Sequence, residues 1–343
     1  MKNIIENEIN GILGDILEDY KQERAIDKRD IYNQPDKAEI MDILHNLMSI
    51  VYPGFFRDKS YKIYNLEHTV STLIEDVIFH LNKQIIVVLK YTKAYNEDEE
   101  DKIEEFAQNA SVEFLKRIPK IREYLDTDLQ AFYDGDPAAR SKDEIIFSYP
   151  GLYAITTYRL AHELFLLNVP LIPRMMTEEA HSKTGIDIHP GATIGKGLFI
   201  DHGAGVIIGE TTVIGDNVTL YQGVTLGGNG KETGKRHPTL KDNVMVSAGA
   251  KIIGSFTIGE NSKIGAGSVV IEEVPPNCTV VGVPGHIVKQ NDVRIPRNSM
   301  DHIHLPDPIF EDIKVLQQEN TELTNRVLEL EGELRQMRKK ERT

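Results

Sequence analysis

The 343-residue chain carries 39 Lys and Arg against 53 Asp and Glu, a formal net charge of -14. So acidic a surface repels a phosphate backbone, and nucleic acid is not an expected partner. The single cysteine, Cys278, excludes an internal disulfide and fits a reducing, cytoplasmic setting. No apolar run approaches the roughly eighteen residues that cross a bilayer, and the N-terminal stretch mixes acids and bases with apolar residues, unlike a signal peptide.

From the start to about residue 175 the apolar spacing predicts helices. Ile4, Ile5, Ile9, Ile12, Leu13, Ile16 and Leu17 recur at intervals of three and four, the face of an amphipathic helix. Similar faces occur at Ala38–Tyr52, Leu66–Leu81, Lys102–Leu115 and Leu152–Leu167, punctuated by Pro53, Pro119, Pro137 and Pro150. Gln84–Tyr91 fits a strand or a buried helix by pattern and is assigned to helix from its neighbours. Pro170 and Pro173 mark a linker into the next region.

That region, residues 176–290, repeats every six residues between Ile188 and Val270. Aliphatic residues fall at Ile188, Ile194 and Ile200; after a two-residue slip at Ile208, Ile214, Leu220 and Leu226; and after a longer break at Leu240, Val246, Ile252, Ile258, Ile264 and Val270. Neither a helix nor an alternating strand has this period. Short strands joined by turns into triangular coils do, with the aliphatic residues stacking from coil to coil into a continuous core. The sequence VPPNCTVVGVPG closes the stack, and Cys278 reads there as a small apolar filler.

Residues 291–306 form a second linker and 307–343 a helical tail. In the tail Ile309, Ile313, Leu316, Asn320, Leu323, Val327, Leu330, Leu334 and Met337 are separated alternately by four and three, a heptad seam. With the leucines at d, Arg326/Glu331 and Glu333/Arg338 are oppositely charged g-to-e pairs, which favours a parallel coiled coil of identical chains. Gly332 falls at an outward position, and His302 and His304 read as tail residues.

A buried coil has no use for charge, so the charged interruptions are candidates for chemistry. Asp187-Ile188-His189-Pro190 opens the stack, and Ile200-Asp201-His202-Gly203-Ala204-Gly205 follows. Fifteen residues separate Asp187 from His202, which in an eighteen-residue coil places them near one another on adjacent coils, so a carboxylate could orient an imidazole as a general base. His189 reads as a turn residue before Pro190. Residues Gly227 to Thr239 break the repeat and must leave the coil as a loop, which ends in Arg236-His237-Pro238; an Arg suits two-point capture of a carboxylate.

The strings DIHPGATIGKGLFIDHGAGVIIGETTVIGDNV, QGVTLGGNG, RHPTL and GAKIIGSFTIGENSKIGAGSVV, with DGDPAA around Asp136 and SMD at Ser299–Asp301, resemble serine O-acetyltransferase from about Asp128 to Met300. The resemblance implies an α+β architecture in which a helical N-terminal domain precedes a left-handed parallel β-helix. It implies acetyl transfer from acetyl-CoA to L-serine in cysteine biosynthesis, with His202 as general base, Asp187 orienting it and His237 beside the hydroxyl. Asp136 and Asp201 would hold the serine ammonium and Arg236 its carboxylate. Gly228, Ala248 and Ala266, with Lys263 at the rim, would take acetyl-CoA. No metal is expected, and the family implies a homotrimer or a dimer of trimers with sites in the clefts between prisms.

Two other classes compete. A carbonic-anhydrase-like β-helix would use His189, His202 and His237 as metal ligands, but Arg236 beside a ligand would repel the cation. A scaffold would use coils and tail for assembly alone and leave the Asp, His and Arg set without a role. Transfer to another hydroxyl or amino acceptor is a variant of the first reading. Many family members end in an isoleucine that enters O-acetylserine sulfhydrylase; KKERT lacks it, which argues against that complex.

Overall fold

A computed structural model describes residues 4–22, 24, 26–27, 34–56, 65–92, 99–230, 233–294, 316–327 and 330. Eight helices come first: α1 (Ile4–Tyr20), α2 (Lys37–Val51), α3 (Leu66–Tyr91), α4 (Glu100–Lys116), α5 (Ile118–Gly135), α6 (Lys142–Ser148), α7 (Pro150–Leu166) and α8 (Ile172–Thr184). Asp36 caps α2 by accepting from the Ala38 and Glu39 N–H groups, and Ser141 caps α6 through Glu144. Gln84–Tyr91 is the end of α3, so its continuous apolar run is a buried helix flank.

The prolines correct the sequence-based boundaries. Pro119, Pro150 and Pro173 each lie in the first turn of a helix, where an N–H has no intrahelical partner to lose. They start helices instead of separating them. In place of a linker at Pro170 and Pro173 the chain forms α8, which runs through residue 175 and ends at Thr184, closed by Gly185 in the left-handed conformation.

The coil stack follows at once. Its short strands are β1 (Asp187–Ile188), β2 (Thr193–Ile194), β3 (Phe199–Asp201), β4 (Ile207–Ile208), β5 (Val213–Ile214), β6 (Thr219–Tyr221), β7 (Thr225–Gly227), β8 (Thr239–Leu240), β9 (Met245–Val246), β10 (Lys251–Ile253), β11 (Thr257–Ile258), β12 (Lys263–Ile264) and β13 (Val269–Val270). β14 (Cys278–Val281), β15 (His286–Gln290) and β16 (Val293–Arg294) finish it with antiparallel pairs. Three sheets result, β1-β4-β7-β10-β13, β2-β5-β8-β11 and β3-β6-β9-β12-β14-β15-β16.

The six-residue period becomes three faces of a prism. Ile188, Ile208, Leu226, Ile252 and Val270 stack in register on the first face. Ile194, Ile214, Leu240 and Ile258 stack on the second, and Ile200, Leu220, Val246 and Ile264 on the third. All thirteen are buried. Cys278 is buried at the end of the stack, where burial pushes its thiol pKa up.

Helices and coils are joined by a buried ion pair. Arg159 of α7 donates from Nε and Nη2 to the two Asp128 oxygens of α5 at 2.5 and 2.7 Å. Asp128 also accepts from the Leu198 N–H at 2.9 Å, and Arg159 donates to the Gly195 carbonyl at 2.8 Å. Tyr158 donates to the Ala192 carbonyl nearby. At Gly151 a Cβ would stand 2.5 Å from the Ile200 carbonyl oxygen, so only glycine lets α7 start this close to β3.

Residues 316–327 are helical, with Leu316, Leu323 and Val327 more than half exposed. Ile309, Ile313, Gly332, Leu334, Met337, His302, His304, Ser299–Asp301 and the charges at Glu331, Glu333 and Arg338 lie outside the described residues. No described helix is long and apolar enough to cross a membrane.

Asp128→Ala leaves Arg159 charged and unpaired in the interior and is expected to cost about 3–5 kcal/mol of unfolding free energy. Denaturant titration measures it. Asp128→Leu combined with Arg159→Met should recover most of the loss, because no orphan charge then remains.

Candidate active site

The two interruptions of the repeat form two corners of the prism, on opposite edges of its first face. The slip after Ile200 lengthens the corner between β3 and β4, so that Asp187 pairs with Ile207 and the first coil spans twenty residues. His202 occupies this corner at φ 56°, a left-handed conformation that His tolerates better than most residues. Its side chain is 74% exposed, with Nε2 3.8 Å from Asp201 Oδ2.

Asp136, at the C-terminus of α5, faces the same corner. Its Oδ2 accepts from the Tyr149 hydroxyl at 2.6 Å and its Oδ1 from the Ala138 N–H at 2.8 Å. Foremost the Tyr149 hydrogen bond, then the Ala138 N–H and the charge of His202, hold its carboxyl below the usual range. The reverse effect, led by the hydrogen bond to Asp136 and aided by Glu144 and Asp201, pushes Tyr149 up to about 12. The corner is therefore acidic, with one exposed imidazole. Tyr149 and Glu144 were not singled out from sequence, since neither lies in the repeat.

Asp187 does not orient His202 in the single chain. It accepts from Arg174 of α8 at 3.0 Å, and Arg174 also pairs with Glu178. The first coil is two residues longer than the eighteen expected from the repeat. The one cluster of possible metal ligands among the described residues, Glu178, His181 and Asp187, includes this Arg-bonded Asp187 and none of His189, His202 and His237. His189 accepts from the Gly191 N–H through Nδ1 at 3.0 Å, the turn role expected of it.

The second corner, between β7 and β8, carries the long loop. His237 is 9% exposed, and its Nδ1 lies 2.9 Å from Thr211 Oγ1. Burial, then the Arg236 charge, lowers the His237 pKa. Arg236 Nη2 donates to Glu210 Oε2 at 2.5 Å, and this partner holds the Glu210 carboxyl low. Thr211 Oγ1 accepts from the Arg236 and His237 N–H groups at 3.0 and 3.1 Å. Sequence reasoning passed over Glu210 and Thr211; the signal was two polar residues at a turn directly after Gly209. Gly228 lies here, within reach of Arg236 and His237.

Ala248 and Ala266 belong to the first corner, one and two coils beyond Gln222, linked by the Gly267 N–H to the Ala248 carbonyl at 2.8 Å. Lys263 is exposed on β12. The structure thus gathers Asp136, Asp201 and His202 at one corner, with Ala248 and Ala266 along the same edge. It gathers Gly228, Arg236 and His237 at the other.

The coil stack is that of a hexapeptide-repeat protein, and residues 237–272 match the family model described as bacterial transferase hexapeptide (six repeats). The chain is 51% identical over 210 residues to serine acetyltransferase of Bacillus subtilis (strain 168), covering 61% of this chain and 93% of the relative. The crystal structure of Entamoeba histolytica serine acetyltransferase 1 in complex with L-cysteine superposes with a TM-score of 0.61 at 37% identity, over 69% of this chain and 85% of that one. Serine acetyltransferase from Brucella abortus strain S19 in complex with coenzyme A superposes with a TM-score of 0.51 at 34% identity, over 73% and 96%. The chain belongs to the serine acetyltransferase family.

A Cβ on Gly209 would stand 2.1 Å from His237 Cδ2, so the ring lies directly on this backbone. Gly209→Ala is expected to expel His237 from its buried position, seen in a crystal structure as a displaced loop and in solution as faster histidine modification by diethyl pyrocarbonate.

Proposed function

We propose that the chain transfers acetyl from acetyl-CoA to the hydroxyl of L-serine, giving O-acetylserine and CoA. The observation that carries this reading is the acidic corner built from Asp136, Asp201 and Tyr149 around the exposed His202. It suits an amino acid held by its ammonium group with its hydroxyl beside a general base. His202 takes the hydroxyl proton as the oxygen attacks the thioester carbonyl, and the tetrahedral intermediate expels CoA thiolate. Asp187 becomes its orienting partner once the imidazole turns from Asp201 and Arg174 yields. Arg236 receives the serine carboxylate on the guanidinium edge not used by Glu210. His237 lies beside the reacting centre.

Acetyl-CoA lies along the small residues Gly228, Ala248 and Ala266, with Lys263 at the rim. The two corners sit on different edges of one prism, so a complete site combines the His202 corner of one subunit with the Arg236 loop of its neighbour in a trimer. This trimer, single or doubled, is placed in the cytoplasm. The tail helix continues the three-fold contact as a parallel coiled coil.

Release of CoA thiol from acetyl-CoA, compared across L-serine, L-homoserine and amino sugars, tests the acceptor. His202→Ala is expected to lower kcat by a factor of about a hundred to ten thousand; retention of a third of the wild-type value would sink the assignment. Tyr149→Phe releases Asp136 toward the ordinary carboxyl range, so the acid limb of kcat/KM for serine should move to higher pH.

Subunit mixing tests the shared site. His202→Ala with Arg236→Ala should recover up to about a quarter of wild-type activity, the share of intact pairs in a random three-fold ring. Asp136→Ala with His202→Ala should recover none, since both mutations fall in the same half.

A further inference from the structure

The Thr211 hydroxyl has a fixed number of bonding positions, and the structure fills them all. A hydroxyl offers one hydrogen and two lone pairs. The Arg236 N–H at 3.0 Å and the His237 N–H at 3.1 Å take the lone pairs. The contact left, 2.9 Å to His237 Nδ1, must therefore be an O–H donating to that nitrogen. The Thr211 N–H points at the same nitrogen from 3.2 Å, a second donor on one lone pair. A proton on Nδ1 would face two donors.

We infer that Thr211 fixes His237 in the neutral form with its proton on Nε2, so that His237 serves the acetyl transfer as a hydrogen-bond donor and His202 alone removes the serine proton. Thr211 is a positioning residue, acting through the ring it orients. This rests on the proposed activity and deepens it by separating the tasks of the two histidines. The surroundings agree. The ring is buried against Gly209, and the nearby Arg236 and Lys235 charges, with burial foremost, disfavour an imidazolium there, although Glu210 favours one. Lys235 is itself held to the same turn by the Thr211 carbonyl at 2.7 Å and the Pro238 carbonyl at 3.2 Å. The side chain of Thr211 thus also sets the backbone of the two residues that the serine site draws from the loop.

The tautomer is measurable without turnover. In full-length protein labelled with ¹⁵N-histidine, magic-angle-spinning NMR should show an unprotonated Nδ1 and a protonated Nε2 at neutral pH for the signal that His237→Gln removes. Thr211→Val, which keeps the shape and deletes the hydroxyl, should change that signal. It should also lower kcat by about ten- to a hundredfold, by analogy with the loss of the outer hydrogen-bond partner of a metal-ligating histidine. KM for acetyl-CoA should stay near wild type. Thr211→Ser restores the hydroxyl and should rescue both the signal and kcat, which separates the inference from mere loop damage. A proton found on Nδ1 in the wild type, or a Val variant that keeps both the signal and kcat, overturns it. A His237→Gln enzyme with unaltered kcat removes His237 from the reaction and overturns the catalytic half, whatever the spectrum shows. Absence of serine acetylation in the wild type overturns the activity itself and leaves the spectrum to judge the hydrogen-bond assignment separately.

Discussion

The geometry of this molecule depends on the ion pair between Asp128 and Arg159. A coil stack has no intrinsic reason to hold helices at a fixed angle, since its outer surface repeats from coil to coil. The pair supplies that reason by bonding at once to each other and to the backbone of the first coil at Gly195 and Leu198. A guanidinium and a carboxylate both almost fully buried are costly unless every donor and acceptor is used. Here nearly all are, so the only arrangement that avoids the cost is the docked one. Asp136 lies eight residues after Asp128, two turns along α5, and is carried to the His202 corner by this docking.

The repeat explains why the candidate site residues sit where they do. Each coil position is fixed by its stacked neighbours above and below, so a residue can be moved outward only by adding length at a corner. The chain does this twice. Two additional residues put His202 out at one corner, and eight put Arg236 and His237 on a loop at another. The strained backbone of His202 is the local consequence, tolerated because Gly203 and Gly205 beside it also take positive φ and the coil on either side is rigid.

Much of this was legible in the sequence, for a physical reason. Thirteen aliphatic residues at a six-residue spacing allow only one sorting onto three faces, and the registers follow that sorting. The helical part was read less well. Pro119, Pro150 and Pro173 look like breaks in a one-dimensional pattern, but a residue without an N–H suits the first helical turn, and three helix starts were missed or shifted for that reason. The charged composition of α5 hid its buried face, because Asp128 counts as polar in any apolar pattern while being fully buried. The partners Tyr149, Arg174, Glu210 and Thr211 were invisible because their roles depend on contacts across 13 to 26 residues. Arg174 as the partner of Asp187 could not be foreseen, because α8 lies outside the repeat.

The two corners differ in charge in a way that matches a zwitterion. One has carboxylates, Asp136 and Asp201, with Glu144 close behind; the other has Arg236 and Lys235, balanced by Glu210. In a single chain they are separated by the width of a prism face, too far for one small amino acid to touch both. On the proposed reading, neither corner alone grips both ends of serine, so a free subunit would hold it by one charge in solvent, where such a contact is worth little. On the same reading, a second chain against the first would convert two weak half-sites into one that encloses both charges. On the proposed reading, assembly is therefore a condition of substrate binding itself, and the apolar seam at Leu316, Leu323 and Val327 has its function in keeping the halves together.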